Sequence, residues 1–253
     1  MGALREMMAM MELELRRLRH DRTEIYTRAI QPILWLVVYG TIMTSIRAIP
    51  TGGIPYLDFI TPGVLLQSTV FVSVFYGLTI VWERDTGILK KLLVAPVPRY
   101  ATVVGKTIAS GVRAIFQALI IIPVALILGV KFVPSFLNFL AAMIILFLIS
   151  GGFAAISILV ASFMKTRERF MGIGQAIIMP LFFGSSALYP VKMMPKLLQR
   201  IAFLNPLTYA VDAVRGLMIS RDMSHLLRDT AMIVIFDILM FVLASLSFRK
   251  IIE

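Results

Sequence analysis

The 253-residue chain has no cysteine and only two histidines, His20 and His225, far apart in sequence. The first absence excludes disulfides and thiolate metal sites without fixing a compartment. The second leaves no histidine-based zinc site. No Gly-x-Ser-x-Gly or His-Glu-x-x-His motif occurs, so a hydrolase would lack a visible nucleophile or metal. Gly105-Lys106-Thr107 imitates the end of a phosphate-binding loop, but Tyr100 stands where the loop's first glycine is required and a long apolar run follows. A nucleotide site in this chain is therefore rejected, and no cofactor or metal is expected in it. The sequence also leaves no stretch with room for a folded soluble domain.

What the chain does contain is apolar. Hydrophobic residues make up 59% and the mean hydropathy is +0.89, against about 45–50% apolar residues in soluble domains. Crossing the bilayer takes about 20 apolar residues, and six runs approach or exceed that length: Ala29–Ile46, Thr61–Trp82, Thr107–Val130, Phe136–Phe163, Met171–Leu188 and Thr230–Phe248. The first follows a charged segment too long for a signal peptide, with no small-residue cleavage site after it, so it reads as a true span. The sequence predicts an all-α integral membrane fold, divided into an interfacial helix over residues 1–28 and a six-span domain over residues 29–253.

A formal charge of +11 could suggest nucleic acid, but in a membrane protein the simpler reading is the positive-inside rule. Arg5, Arg16, Arg17, Arg19, Arg22 and Arg28 precede the first span, and the loops after the second and fourth spans are also basic. The first and third loops hold only Arg47 and Lys131. Both termini are expected in the cytoplasm.

Between the spans, four segments carry information. Leu4, Met8, Met11, Leu15 and Leu18 recur at steps of four and three, which predicts an amphipathic helix lying in the membrane interface. Glu83, Arg84, Asp85 and Gly87 open a charged insert whose Ile88, Leu89, Leu92 and Leu93 form one apolar face. Pro96 and Pro98 stop that short helix. A plain solvated linker would have no use for four aliphatics, so the segment reads as a handle for something soluble. In the fourth span, Ser150, Gly151, Gly152, Ala154, Ala155 and Ala161 suit close helix packing. In the long fifth connection, Tyr189-Pro190 is expected to end a span that Pro180 bends. Asn205-Pro206 then starts a helix too short to cross. The two short segments there read as outer re-entrant helices, with Asp212 and Arg215 able to pair on one helical face.

Three further features remain open. Gln67, Phe71 and Phe75 recur at four-residue steps, as do Gln175, Met179 and Phe183. Each set suits a path for amphipathic cargo, or simply faces lipid and neighbouring helices. Asp237, inside the sixth run, is a candidate proton site or a structural hydrogen-bonding group. Arg113 is expected to snorkel to the cytoplasmic interface.

These features, in this order, resemble the membrane subunits of ABC-2 type exporters, particularly daunorubicin-exporter and nodulation-factor-exporter permeases. The resemblance rests on Glu83-x-x-x-Gly87-x-Leu89, Pro96 and Gly105-Lys106. It rests equally on Leu188-Tyr189-Pro190 and on Leu204-Asn205-Pro206-Leu207-Thr208-Tyr209 followed by Asp212-x-x-Arg215-Gly216. It covers nearly the whole chain and implies a half-transporter in the cell membrane. Two copies would pair, each binding a separate ATPase subunit that carries the ATP and Mg, through a coupling helix from Glu83 to Pro96. Cargo would pass along the second and fifth spans, and Tyr189, Pro190, Asn205, Pro206, Asp212 and Arg215 would build the outer gate. Drug-like or lipid-like cargo, lipid-linked polysaccharide, and a proton-coupled carrier acting through Asp237 remain the competing readings.

Overall fold

The computed structural model describes residues 12, 22–47, 49–86, 99–164 and 166–247. Of the expected interfacial helix, residues 1–11 and 13–21 lie outside the described residues, as do Gly87, Ile88, Leu89, Leu92 and Pro96 of the charged insert. Every regular element among the described residues is helical. Helix α1 (Arg22–Leu34) runs through a π-helical stretch, Trp35–Gly40, into α2 (Thr41–Ile46). Next come α3 (Tyr56–Tyr76), α4 (Leu78–Asp85), α5 (Arg99–Ile127), α6 (Phe136–Phe163) and α7 (Arg167–Phe183). A 3₁₀ turn at Val191–Met193 leads to α8 (Lys196–Leu204), α9 (Pro206–Arg215), a second π-helical stretch at Gly216–Ser220, and α10 (Leu226–Ser247).

Five stretches among the described residues are long and apolar enough to cross a membrane: Tyr26–Ile46, Tyr56–Glu83, Thr102–Ile127, Phe136–Phe163 and Leu226–Ser247. The expected fifth span, Met171–Leu188, is realised as α7, whose 17 residues rise about 26 Å, at the short limit for crossing. It ends at Phe183 rather than at Tyr189-Pro190, which corrects the sequence expectation. The end carbonyls find other donors. Asn205 Nδ2 donates to Leu181 O at 2.6 Å and to Gly184 O at 3.2 Å, and Ser185 Oγ donates to Phe182 O at 2.7 Å. The helix closes because Asn205, remote in sequence, and the neighbouring Ser185 satisfy it.

Helix α6 lies at the centre, packed on α3, α5 and α10. Its first turn is capped by Ser135, whose side chain accepts from Asn138 N. Small buried residues, among them Ser150, Gly152, Ala154 and Ser157, let neighbours approach its backbone, where packing rather than hydrophobicity drives association in lipid. A Cβ on Gly152 would collide with Asp237 and Phe236 of α10. Helix α3 is the other core element: every residue of it is buried except Phe71 and Phe75.

Candidate functional site

At one end of the bundle, α3 breaks at Gly77 and continues as α4, whose Glu83 is buried. Lys106 of α5, with 0% of its surface exposed, meets it: Lys106 Nζ lies 3.1 Å from both Glu83 Oε1 and Oε2. Among the described residues Glu83 is thus turned onto Lys106 of the bundle. Its carboxylate is the inward root of the charged insert, because a lysine buried in the bundle needs an opposite charge. Arg84 and Asp85 continue α4 beyond that root. Trp82, next to Glu83, is exposed and lies under Arg167, whose guanidinium carbon is 5.5 Å from the indole ring.

The Lys106 position belongs to a buried polar stripe along α5 that the sequence reading missed. Thr102, Lys106, Ser110, Arg113 and Gln117, all buried, follow one another at steps of four and three, the period of one helical face. Ser110 Oγ is 2.9 Å from Ser150 Oγ of α6, which is 2.7 Å from Ser73 Oγ of α3. Arg113 does not snorkel to the interface. It is buried, and its guanidinium stacks over the Tyr76 ring at 4.0 Å from the centroid. The helical spacing of these polar residues is the sequence signal for the stripe.

Along the expected path, Phe71 and Phe75 are the two residues of α3 that remain partly open, with ring centroids 4.5 Å apart. Gln67, buried one turn before Phe71, joins Phe71, Ser68, Arg28, Gln31 and Pro32 around a small cleft between α1 and α3. Arg28 lies over the Phe75 ring at 5.8 Å. Gln175 and Met179 are half-buried on α7, whereas Phe183 is exposed. Helix α7 packs beside α3, with Gly174 facing Val74, and touches the π-helical stretch after α1 through Phe182 and Trp35, whose rings are 5.8 Å apart. The two sets therefore occupy neighbouring helices, and contacts join Gln67 and Phe71 to α1 more directly than to α7.

At the opposite end, the irregular stretch after α7 is bound from several sides. Arg215 is buried, donating from Nη2 to Ser186 O at 2.7 Å and from Nε to Phe59 O at 3.3 Å. Its Nη1 pairs with Asp212 Oδ1 at 3.0 Å, and the same oxygen accepts from Ser186 Oγ at 2.7 Å. The Arg215 guanidinium also lies over the Phe59 ring at 3.9 Å. Burial draws the Arg215 pKa down to about 10, with Asp212 and then Tyr56 opposing that shift, so it stays cationic near neutrality. Asn205 caps α9 by accepting from Leu207 N at 3.0 Å, with Pro206 in the first turn. Tyr189 donates its hydroxyl to Phe183 O at 2.7 Å, and Tyr56 donates to Leu188 O at 2.9 Å. Pro190 leads into the 3₁₀ turn. Tyr189, Asn205, Asp212 and Arg215 thus converge on one knot that holds the break after α7 against α3. Of the two short helices here, α9 is largely buried, while only Ala202 of α8 is buried.

A profile of the ABC-2 type transporter family matches residues 5–219. A protein of Cyanophora paradoxa named as a ycf38 transport permease is 32% identical over 190 residues, covering 74% of this chain and 65% of that protein. The chain thus spans just under two thirds of that relative's length. The daunorubicin resistance ABC transporter permease protein DrrB1 of Streptomyces coeruleorubidus is 26% identical over 204 residues, covering 79% of this chain and 70% of DrrB1.

Proposed function

Because this chain belongs to the ABC-2 type transporter family, as a multi-pass membrane permease rather than a catalyst, we propose that it moves a hydrophobic or amphipathic molecule out of the cytoplasm or inner leaflet. Its power source is a separate ATPase subunit, two copies of which serve a pair of permease chains in the cell membrane, with both termini in the cytoplasm. The observation that carries the cargo assignment is the single breach in the burial of α3: Phe71 and Phe75, in tilted ring contact and partly open, beside Gln67. A soft aromatic surface with one amide suits drug-like or lipid-like molecules, whose apolar bodies need area and whose polar ends need few partners. The drug-resistance relative supports the same reading.

Energy enters through the segment beyond Glu83. ATP closes the two ATPase subunits, and the segment passes that shift to α4 through the Glu83–Lys106 pair and so to the rigid α3–α5–α6 core. Coupling of this kind requires a contact whose free energy differs between the two states. Ile88, Leu89 and Leu92 supply the apolar face for it. Purifying the chain with its cognate ATPase and measuring cargo-stimulated hydrolysis tests the proposal. Leu89→Asp is expected to leave the permease folded but to abolish stimulation and export. Retention of ATPase binding and transport in that variant would overturn the coupling assignment.

A further inference from the structure

On the face of α5 and α6 that meets α10, away from Phe71 and Phe75, lies a groove of about 280 Å³. Thr107 and Ile108 of α5, Phe147, Leu148 and Gly151 of α6, and Asp237, Ile238 and Phe241 of α10 line it. The lining is apolar apart from Thr107 and one carboxyl group. Thr107 turns its hydroxyl back onto its own helix, donating to Val104 O at 2.9 Å. Asp237 is different: its carboxyl lines the groove, while its Oδ1 is buried against Gly152 of α6 without a well-formed hydrogen bond. A polar group left unsatisfied in an apolar surround is costly, and an intramembrane carboxyl commonly marks a site whose partner comes from elsewhere. Gly151 supplies a second, independent observation. A Cβ built there meets nothing within 4 Å, whereas one on the next residue, Gly152, would strike α10. Of these two adjacent glycines, one closes the helix contact and the other leaves space on the groove.

We propose that this groove is a second binding site, for a hydrophobic amine whose apolar chain lies along Phe147, Ile238 and Phe241 and whose ammonium pairs with Asp237. The volume falls just below the ~300–1,000 Å³ of drug-sized pockets, so it fits one alkyl chain or small ring system rather than a bulky cargo. Charge complementarity selects the occupant. A lone carboxylate in hydrocarbon is stabilised by an opposite charge, and no basic side chain lines the groove. Asp237 lies midway along α10, so the amine would enter sideways from the bilayer. This site does not depend on the ATPase or on the path at Phe71 and Phe75.

The test is photolabelling of the full-length chain in phosphatidylcholine nanodiscs without ATPase. Two probes of equal chain length carry the same diazirine, one a dimethylalkylamine and the other the corresponding neutral alcohol. The amine should label residues around Gly151 and Ile238 roughly tenfold or more above the alcohol, as expected for one charge-assisted contact. Asp237→Asn should bring amine labelling down to the alcohol level. Gly151→Leu, which fills open space rather than displacing a neighbour, should abolish labelling by both probes while leaving the chain monodisperse and helical. Equal labelling by the two probes in the unaltered chain would mean that the groove holds lipid tails and that Asp237 is structural. Amine labelling that survives Asp237→Asn or Gly151→Leu would overturn the site. Should Asp237→Asn fail to fold, the amine-to-alcohol ratio in the unaltered chain and the Gly151→Leu result still decide.

Discussion

Lys106 is the residue under the tightest energetic constraint, because an ammonium with none of its surface in water must have a counter-charge. Removing one partner of a buried pair costs about 3–5 kcal/mol, whereas replacing both with apolar groups is often near neutral. Glu83→Gln is therefore expected to lower the melting temperature of the detergent-solubilised chain markedly, and Glu83→Gln with Lys106→Met to recover most of it. A Glu83→Gln variant as stable as the unaltered chain would refute the structural role. The pair shows how far single residues can be read from sequence. Glu83 sits in a charged run, and nothing in that run marks it as a side chain that turns inward. Arg113 misled for the same reason: a lone arginine near a span's end fits snorkelling, and only Tyr76, 37 positions earlier in the chain, supplies the ring that keeps it inside.

Among the elements, α6 was the most legible. Its expected and observed limits coincide at Phe136 and Phe163, because Ser135 is a local cap and the run is apolar on every side. Helix α7 was not, since its termination depends on Asn205, which lies 21–24 residues away from the carbonyls it serves. The break after α7 rests on Gly63 of α3, where a Cβ would run into the backbone of Ala187. A glycine here permits close approach of two backbones. Gly63→Val is expected to destabilise the protein by roughly 1–3 kcal/mol, as overpacking does. The damage should be local: hydrogen exchange over residues 184–190 should rise well before exchange in α6 changes. Uniform acceleration across all helices would show that Gly63 matters to the whole bundle and not to the outer knot.

For the whole molecule, the absence of cysteine is an experimental asset, because single introduced thiols report sidedness without background. Thr166 and Ser224 are both exposed and lie at opposite ends of the bundle, before α7 and before α10. With both termini in the cytoplasm, Ser224→Cys should react with an impermeant maleimide in intact cells, and Thr166→Cys only after permeabilisation. The reverse pattern would invert the proposed orientation and remove the charged insert from reach of any cytoplasmic ATPase.

Composition and periodicity by themselves determined that this chain is a helical membrane protein and where most of its spans lie. Those properties follow from short-range rules: length of apolar runs, caps, prolines and the sign of loop charge. Tertiary structure alone decided which polar groups are internal. The stripe on α5, the inward turn of Glu83, the knot around Arg215 and the unpartnered oxygen of Asp237 each depend on side chains from different helices meeting in a low-dielectric interior, where a polar atom's cost is set by its neighbours in space rather than in sequence.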